Sequence, residues 1–237
     1  MTFAMQSMRL WWAVVAVLVA VGMSGLAVSQ QAASEGAAST AIVTFTLDFP
    51  QSEPTHYSIA VDARGHATYE CAVKAEEDAE EQTYRTEFEM TAANRDRIFG
   101  WAKEAKYFSG TIDSGNRKLA FTGAKILSYQ DGQRAATARY NYSNLEPVRE
   151  LTALFQNMAG TLDYGRRLTY YHRYQKLALD EELKRMEGQA KNNELSEIQG
   201  VAQVLQGIVD DTSVINVVRA RAKALIQMTS STPGGRQ

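Results

Sequence analysis

The sequence predicts an α+β fold, with an antiparallel sheet of about five to six strands and one packed helix, followed by a C-terminal region of about three to four helices. Between residues 41 and 142, apolar and polar residues alternate in short segments, which is typical of half-buried strands. From residue 143 onward, apolar residues recur at helical spacing. The stretch 147–162 carries one apolar stripe and predicts a core helix where the two halves meet. The stripe consists of Val148, Leu151, Phe155, Met158 and Leu162.

The first 29 residues have the pattern of a secretory signal peptide. Arg9 precedes an uncharged apolar stretch, and the small residues Ala27-Val28-Ser29 follow it, so we expect cleavage after Ser29. The alternative is an uncleaved N-terminal membrane anchor, because no charge lies between Arg9 and Glu35 and a span needs about 20 apolar residues. Either reading predicts export: the protein is periplasmic or extracellular, or it is anchored to the cytoplasmic membrane with its body outside.

The pattern divides the remaining chain into four parts. Residues 30–40 are small and polar and predict a flexible lead-in. Residues 41–163 form the predicted sheet domain, which includes the core helix from 147, and residues 164–228 form the helical region. Residues 229–237 predict a disordered tail. Whether residues 194–228 form a separate lobe stays open.

Composition excludes several classes of partner and site. The chain has 25 Lys and Arg residues against 27 Asp and Glu, so it has no basic surplus for nucleic acid. Its single cysteine, Cys71, cannot form an internal disulfide. His56 and His66 lie roughly 17 Å apart in the predicted hairpin and cannot share a metal with His172. We therefore predict no metal ligands, no cofactor and no cofactor-binding residues.

Two hairpins are specific enough to predict a register. In the first, a loop ending at Gly65 pairs Val61 with Ala67, Ile59 with Tyr69 and Tyr57 with Cys71, which places the apolar side chains and the thiol on one face. In the second, Asp131-Gly132 predicts a two-residue turn that opposes Leu127 to Ala136 and Lys125 to Ala138.

The helical half contains one basic and aromatic concentration, Arg166 to Leu177. Gly160 and Gly165 are expected to mark the end of the core helix, so this segment would begin a new helix. Arginines between tyrosines are suited to a partner's acidic face or to an anionic polymer. The alternative is an ordinary helix whose arginines lie in water beside Asp180 to Glu182. The candidate partner-binding residues are Arg166, Arg167, Tyr170, Arg173, Tyr174 and Lys176.

The body of the chain resembles uncharacterised exported bacterial proteins. The resemblance rests on a Phe-Pro turn at Phe49-Pro50, a tyrosine-bearing hairpin, the Asp131-Gly132 hairpin and the Gly-Arg-Arg-Leu segment from Gly165. It implies no established activity and no site residue.

Three functions are compatible with these patterns. The first is a non-enzymatic envelope protein that binds a protein or an envelope polymer through its helical half. The chain has no Gly-x-Ser-x-Gly, Ser-x-x-Lys or His-Glu-x-x-His motif, and we assign no catalytic residue. The second is an exported hydrolase of a cell-wall or polysaccharide substrate that uses paired carboxylates, for which Asp62, Glu70 and Asp113 are the nearest candidates. The third is a secreted inhibitor that presents the hairpin tip 62–66.

Overall fold

The structure is a computed structural model that describes residues 41–73 and 81–230, and these belong to one compact unit. The predicted signal peptide or anchor, the lead-in, the acidic run up to residue 80 and residues 231–237 lie outside the described part. Thr229 and Ser230, which the sequence assigned to a disordered tail, belong to the last helix.

The described residues have the predicted α+β architecture. The strands are β1 (Ile42–Asp48), β2 (His56–Asp62), β3 (His66–Val73), β4 (Gln82–Glu89), β5 (Ala124–Gln130) and β6 (Ala135–Tyr140). They form one antiparallel sheet in the order β4-β3-β2-β1-β5-β6. Buried and accessible residues alternate along them, so the sheet has an inner face in the core and an outer face toward solvent.

The helices of the described residues are α1 (Ala92–Glu104), α2 (Glu146–Tyr174), α3 (Leu179–Lys191), α4 (Ala202–Asp210) and α5 (Asn216–Ser230). The first two pack on the inner face of the sheet, and the last three pack against α2 and one another. Short 3-10 turns cover Lys106–Phe108, Lys176–Ala178 and Ile198–Val201. The predicted core stripe is confirmed, because all five of its residues are at most 1% exposed. Phe155 of α2 stacks on Phe45 of β1 with ring centroids 5.3 Å apart. No helix within the described residues is both long and apolar enough for a membrane span.

The register predicted for the β2–β3 hairpin is confirmed. Tyr57 lies opposite Cys71 and Val61 opposite Ala67. One carboxylate oxygen of Asp62 accepts the N–H groups of the next turn, including that of Gly65, which has a φ of +102°. Cys71 therefore lies in the core, 2% exposed, and burial raises the pKa of its thiol.

The register predicted for the second hairpin is wrong by two residues. Leu127 lies opposite Ala138, and the connection is a four-residue loop, 131–134. The Asp131 carboxylate accepts the N–H groups of Gln133 and Arg134, and the Asp131 N–H donates to the Arg134 carbonyl. These bonds stabilise the longer loop. A shift of two residues keeps every side chain on its face, so the hydrophobic pattern could not distinguish the registers.

Helix α2 does not end at its glycines, as the sequence suggested. It runs without interruption through Gly160 and Gly165, so the predicted domain boundary at 163 and 164 falls inside it. A Cβ at Gly165 would lie 2.5 Å from Cγ1 of Val201, and one at Gly160 would lie 3.4 Å from Leu195. The glycines permit a close crossing by residues 195–201. Part of this segment, Ile198–Val201, is a 3-10 turn.

A buried glutamate joins the two halves. Thr91 is the N-cap of α1 and accepts the Asn94 N–H at 3.4 Å. Glu197, from the C-terminal region, lies at the same helix end and is 5% exposed. Its carboxylate accepts the Thr91 N–H at 2.9 Å, the Thr91 hydroxyl at 2.6 Å and the Asn94 side-chain N–H at 2.6 Å. An anion at a helix N-terminus is favourable, so Glu197 ties the helical half to α1.

Candidate interaction surface

The six candidate partner-binding residues separate into two groups along α2 and the turn that follows it. Arg166 and Arg167 lie farther toward the N-terminus of α2, where Arg167 faces α3 and Arg166 lies near Glu53, which precedes β2. Tyr170, Arg173 and Tyr174 belong to the last turns of α2, and Lys176 begins the following 3-10 turn.

The first group, Arg166 and Arg167, forms ion pairs with buried carboxylates. The side chains of Asp163 and Glu182 are only 6% and 1% exposed. Arg166 contacts Asp163 at 2.8 Å, and Arg167 pairs with both acids, reaching Glu182 at 2.5 Å. Arg185 of α3 also pairs with Glu182. Buried carboxylates need such partners, so neither arginine simply lies in water. Arg167 links α2 to α3, whereas Arg166 pairs within α2 and lies 3.9 Å from Glu53, which precedes β2.

The second group forms an exposed patch, which we call the tyrosine-arginine surface: Tyr170, Arg173, Tyr174, Lys176 and Leu177. Tyr170 is 50% exposed, Tyr174 63% and Leu177 95%. The two tyrosines are one helical turn apart, and their ring centroids lie 5.2 Å from each other. The guanidinium carbon of Arg173 lies 5.4 Å from the centroid of the Tyr174 ring.

Charge on this surface is concentrated in Arg173. Lys176 contacts Asp211 at 2.6 Å and also reaches Ser213, so its charge is balanced. Within the described part of the chain, Arg173 pairs with no carboxylate. Asp211 and Ser213 belong to the loop before α5. This loop leads into two further exposed apolar residues, Ile215 at 61% and Val217 at 51%.

A serine, a histidine and an aspartate meet beside this surface without the geometry of a nucleophile. Asp211 accepts a hydrogen bond from the Ser213 hydroxyl at 2.6 Å and contacts His172 Nε2 at 2.9 Å. The serine hydroxyl thus bonds the carboxylate and not the imidazole, and the Lys176 amine that contacts it is itself paired with Asp211, whereas an activated serine requires a free base at its hydroxyl. The lysine, the serine hydroxyl and backbone N–H, and the histidine lower the pKa of Asp211. The sequence patterns did not predict this cluster.

The carboxylates considered for hydrolysis lie apart and have other partners. Asp62 accepts the hairpin N–H groups, and Glu70 pairs with Arg85 at 2.7 Å on the outer face of β3. Asp113 accepts the backbone N–H groups of Asn141 and Gly115, which lower its pKa. Within residues 41–73 and 81–230, no three metal-ligating side chains come together.

The hairpin tip 62–66 does not stand free of the body. The Met90 N–H, at the junction of β4 and α1, donates to the Gly65 carbonyl at 2.9 Å. His66 pairs with Glu89 at the end of β4. The tip is therefore held against the neighbouring strand and its connection to α1.

The chain matches no protein-family model, and no curated protein is significantly similar to it.

Proposed function

We propose that this protein is a non-enzymatic exported envelope protein that binds a protein or an envelope polymer through the tyrosine-arginine surface. One observation carries the proposal: two tyrosines whose rings contact each other and Leu177 are exposed beside an arginine that lacks a carboxylate partner in the described residues. Tyrosine and arginine are the residue types most enriched at binding hot spots.

The scaffold suits this role because the surface extends a helix that is anchored in the core. Leu168 is fully buried three residues after Gly165, while Tyr170 and Tyr174 are open to solvent. Tyrosine rings that already contact each other on a helix lose little conformational entropy on binding. Covering a fully exposed leucine contributes about 1.5 to 3 kcal/mol.

The alternatives have less support in the geometry. A hydrolase would need converging carboxylates, and Asp62, Glu70 and Asp113 are held by separate partners. An inhibitor would need a projecting loop, and Gly65 is bonded to Met90. Export rests on residues 1–29, and contact with the membrane is expected only if that segment is retained as an anchor.

A pull-down from an envelope extract tests the proposal. The full chain serves as bait beside the variant Arg173→Glu combined with Tyr174→Ala, and Phe121→Ala is the control. Phe121 is 58% exposed but lies before β5. We expect the double variant to retain its bound component at least about tenfold less well, since hot-spot truncations cost about 2 kcal/mol or more. Equal retention by all three proteins would overturn the proposal.

A further inference from the structure

The tyrosine-arginine surface continues onto the start of α5. Lys176, in the turn after α2, contacts the Ser213 hydroxyl in the loop before α5. Farther along both segments, the Asp180 carboxylate at the start of α3 lies 3.3 Å from the Arg221 guanidinium of α5. The stretches between these two contacts therefore lie side by side. Together they carry three exposed aliphatic side chains: Leu177, Ile215 and Val217.

Leu177 projects from this surface. It is 95% exposed, so its side chain has almost no neighbour in the folded protein. The residues around it are held in place, because Leu179 is fully buried two positions later and Val218 of α5 is 1% exposed. Leu177 is thus a knob on a fixed base, and a partner that covers it must supply a pocket.

The aliphatic side chains disfavour a polysaccharide as the partner. A sugar chain presents hydroxyl groups, and neither the Leu177 nor the Val217 side chain can donate or accept a hydrogen bond. Each hydroxyl that they cover would lose water without a replacement, which costs free energy. A protein can surround a leucine with apolar side chains, and well-packed, desolvated pockets of this kind hold the central residues of protein interfaces.

The charges disfavour an anionic membrane surface. Within the described residues, Arg173 is the cation of the tyrosine-arginine surface that has no carboxylate partner, because Lys176 is paired with Asp211 at 2.6 Å. Attraction to anionic lipids takes a cluster of about four to eight lysines and arginines. A single unbalanced guanidinium instead suits a single carboxylate, which it can bind through two parallel hydrogen bonds.

We propose that the partner is another protein, with an apolar pocket for Leu177 and a carboxylate for Arg173. This inference rests on the proposed function and narrows its partner from a protein or a polymer to a protein. The two exposed tyrosines supply aromatic contact area beside these anchors, and Val217 extends the apolar contact onto α5.

Cross-linking followed by an affinity measurement tests this inference. A photo-cross-linking phenylalanine derivative is placed at position 217 of the full chain in living cells, and mass spectrometry identifies the attached protein. With that protein purified, Leu177→Asn should weaken binding at least about tenfold, because an apolar pocket would then close over an amide. Leu119→Asn is the control and should leave the affinity unchanged, since Leu119 is 40% exposed in the loop before β5. No protein adduct, a second copy of this chain as the attached protein, or equal effects of the two variants would overturn the inference.

Co-sedimentation separates failure of this inference from failure of the proposed function. The purified chain is mixed with protein-free cell wall and, separately, with vesicles that contain anionic phospholipid, and it should remain in solution with both. Pelleting with either probe that Arg173→Glu combined with Tyr174→Ala abolishes would support binding through the tyrosine-arginine surface but overturn a protein partner. No adduct from position 217 together with no such pelleting would overturn the proposed function as well.

Discussion

At the scale of single residues, Gly165 explains why α2 and residues 195–201 pack so closely. Its missing side chain leaves room for Val201, whose Cγ1 would be 2.5 Å from an added Cβ. Both residues are buried, and Val201 belongs to a 3-10 turn whose backbone is held by neighbouring elements. An added methyl group would therefore meet atoms that cannot move away freely.

We predict that Gly165→Ala lowers the free energy of unfolding by about 1 to 3 kcal/mol, as overpacking does in well-packed cores. Urea denaturation measures it. Gly188→Ala is the matched control, since Gly188 lies in α3 with no neighbouring atom within 4 Å of an added Cβ. The control should raise the stability by up to about 1 kcal/mol through helix propensity. Equal effects of the two substitutions would contradict a close crossing at Gly165.

The same residues show what a single sequence can predict. The pairing of Tyr57 with Cys71 followed from local alternation and a glycine turn, both of which are visible in the sequence. The role of Gly165 depends on Val201, 36 positions away, which no local pattern identifies. The register predicted for the hairpin at Asp131 was wrong for a different reason. Two registers satisfied the same alternation of apolar and polar residues, and hydrogen bonds of the Asp131 side chain favour the observed one.

At the scale of elements, the link between the two halves depends on Glu197. No periodicity predicts this cap, because the acceptor is 106 positions from Thr91 and lies in a turn with a φ of +59°. It replaces solvent at the end of α1 with a buried carboxylate that has three hydrogen-bond donors on Thr91 and Asn94.

We predict that Glu197→Gln destabilises the protein by about 2 kcal/mol, because an amide loses the charge and turns a donor toward other donors. Thermal unfolding followed by circular dichroism measures the change. Glu194→Gln, at an exposed position three residues earlier, should stay within about 0.5 kcal/mol of wild type. If the two variants unfold together, Glu197 does not join the halves.

The sequence predicted the candidate surface only in part, and the reason is how helix α2 packs. Arg166 and Arg173 are seven residues apart, so they share a face of α2 about 10.5 Å from each other along its axis. Helical spacing therefore predicts the same exposure for both arginines. Arg166 pairs with Asp163 of its own helix and lies 3.9 Å from Glu53, whereas Arg173 has no carboxylate partner in the described part. Which part of a helix face is covered depends on the tertiary structure. The sequence alone therefore could not tell the exposed arginine from the buried one.

We predict a pH-dependent contribution from Asp211, which fastens the turn after α2 to the loop before α5. Lys176 and the other donors lower the pKa of this carboxyl below its ordinary value of 3.8 in the folded state. Its contribution to stability is therefore complete above the unfolded pKa and decreases as pH falls below about 4. The difference in melting temperature between wild type and Asp211→Asn should be constant near neutral pH and shrink in acid. Asp210→Asn is the control, and a difference that persists unchanged in acid would contradict the link.

At the scale of the whole molecule, the helices occupy one side of the sheet and leave the other side open. The tyrosine-arginine surface belongs to the helical side, so binding there would leave the outer sheet face accessible.

The most direct measurement places a photo-cross-linking phenylalanine derivative at position 174 of the full chain in living cells, and in a second strain at position 142. Tyr142 is 42% exposed but lies outside the tyrosine-arginine surface, just after β6. We predict an adduct from position 174 that is absent from position 142 and is lost when Arg173→Glu is added. No adduct at position 174, or the same adduct at both positions, would contradict binding through this surface.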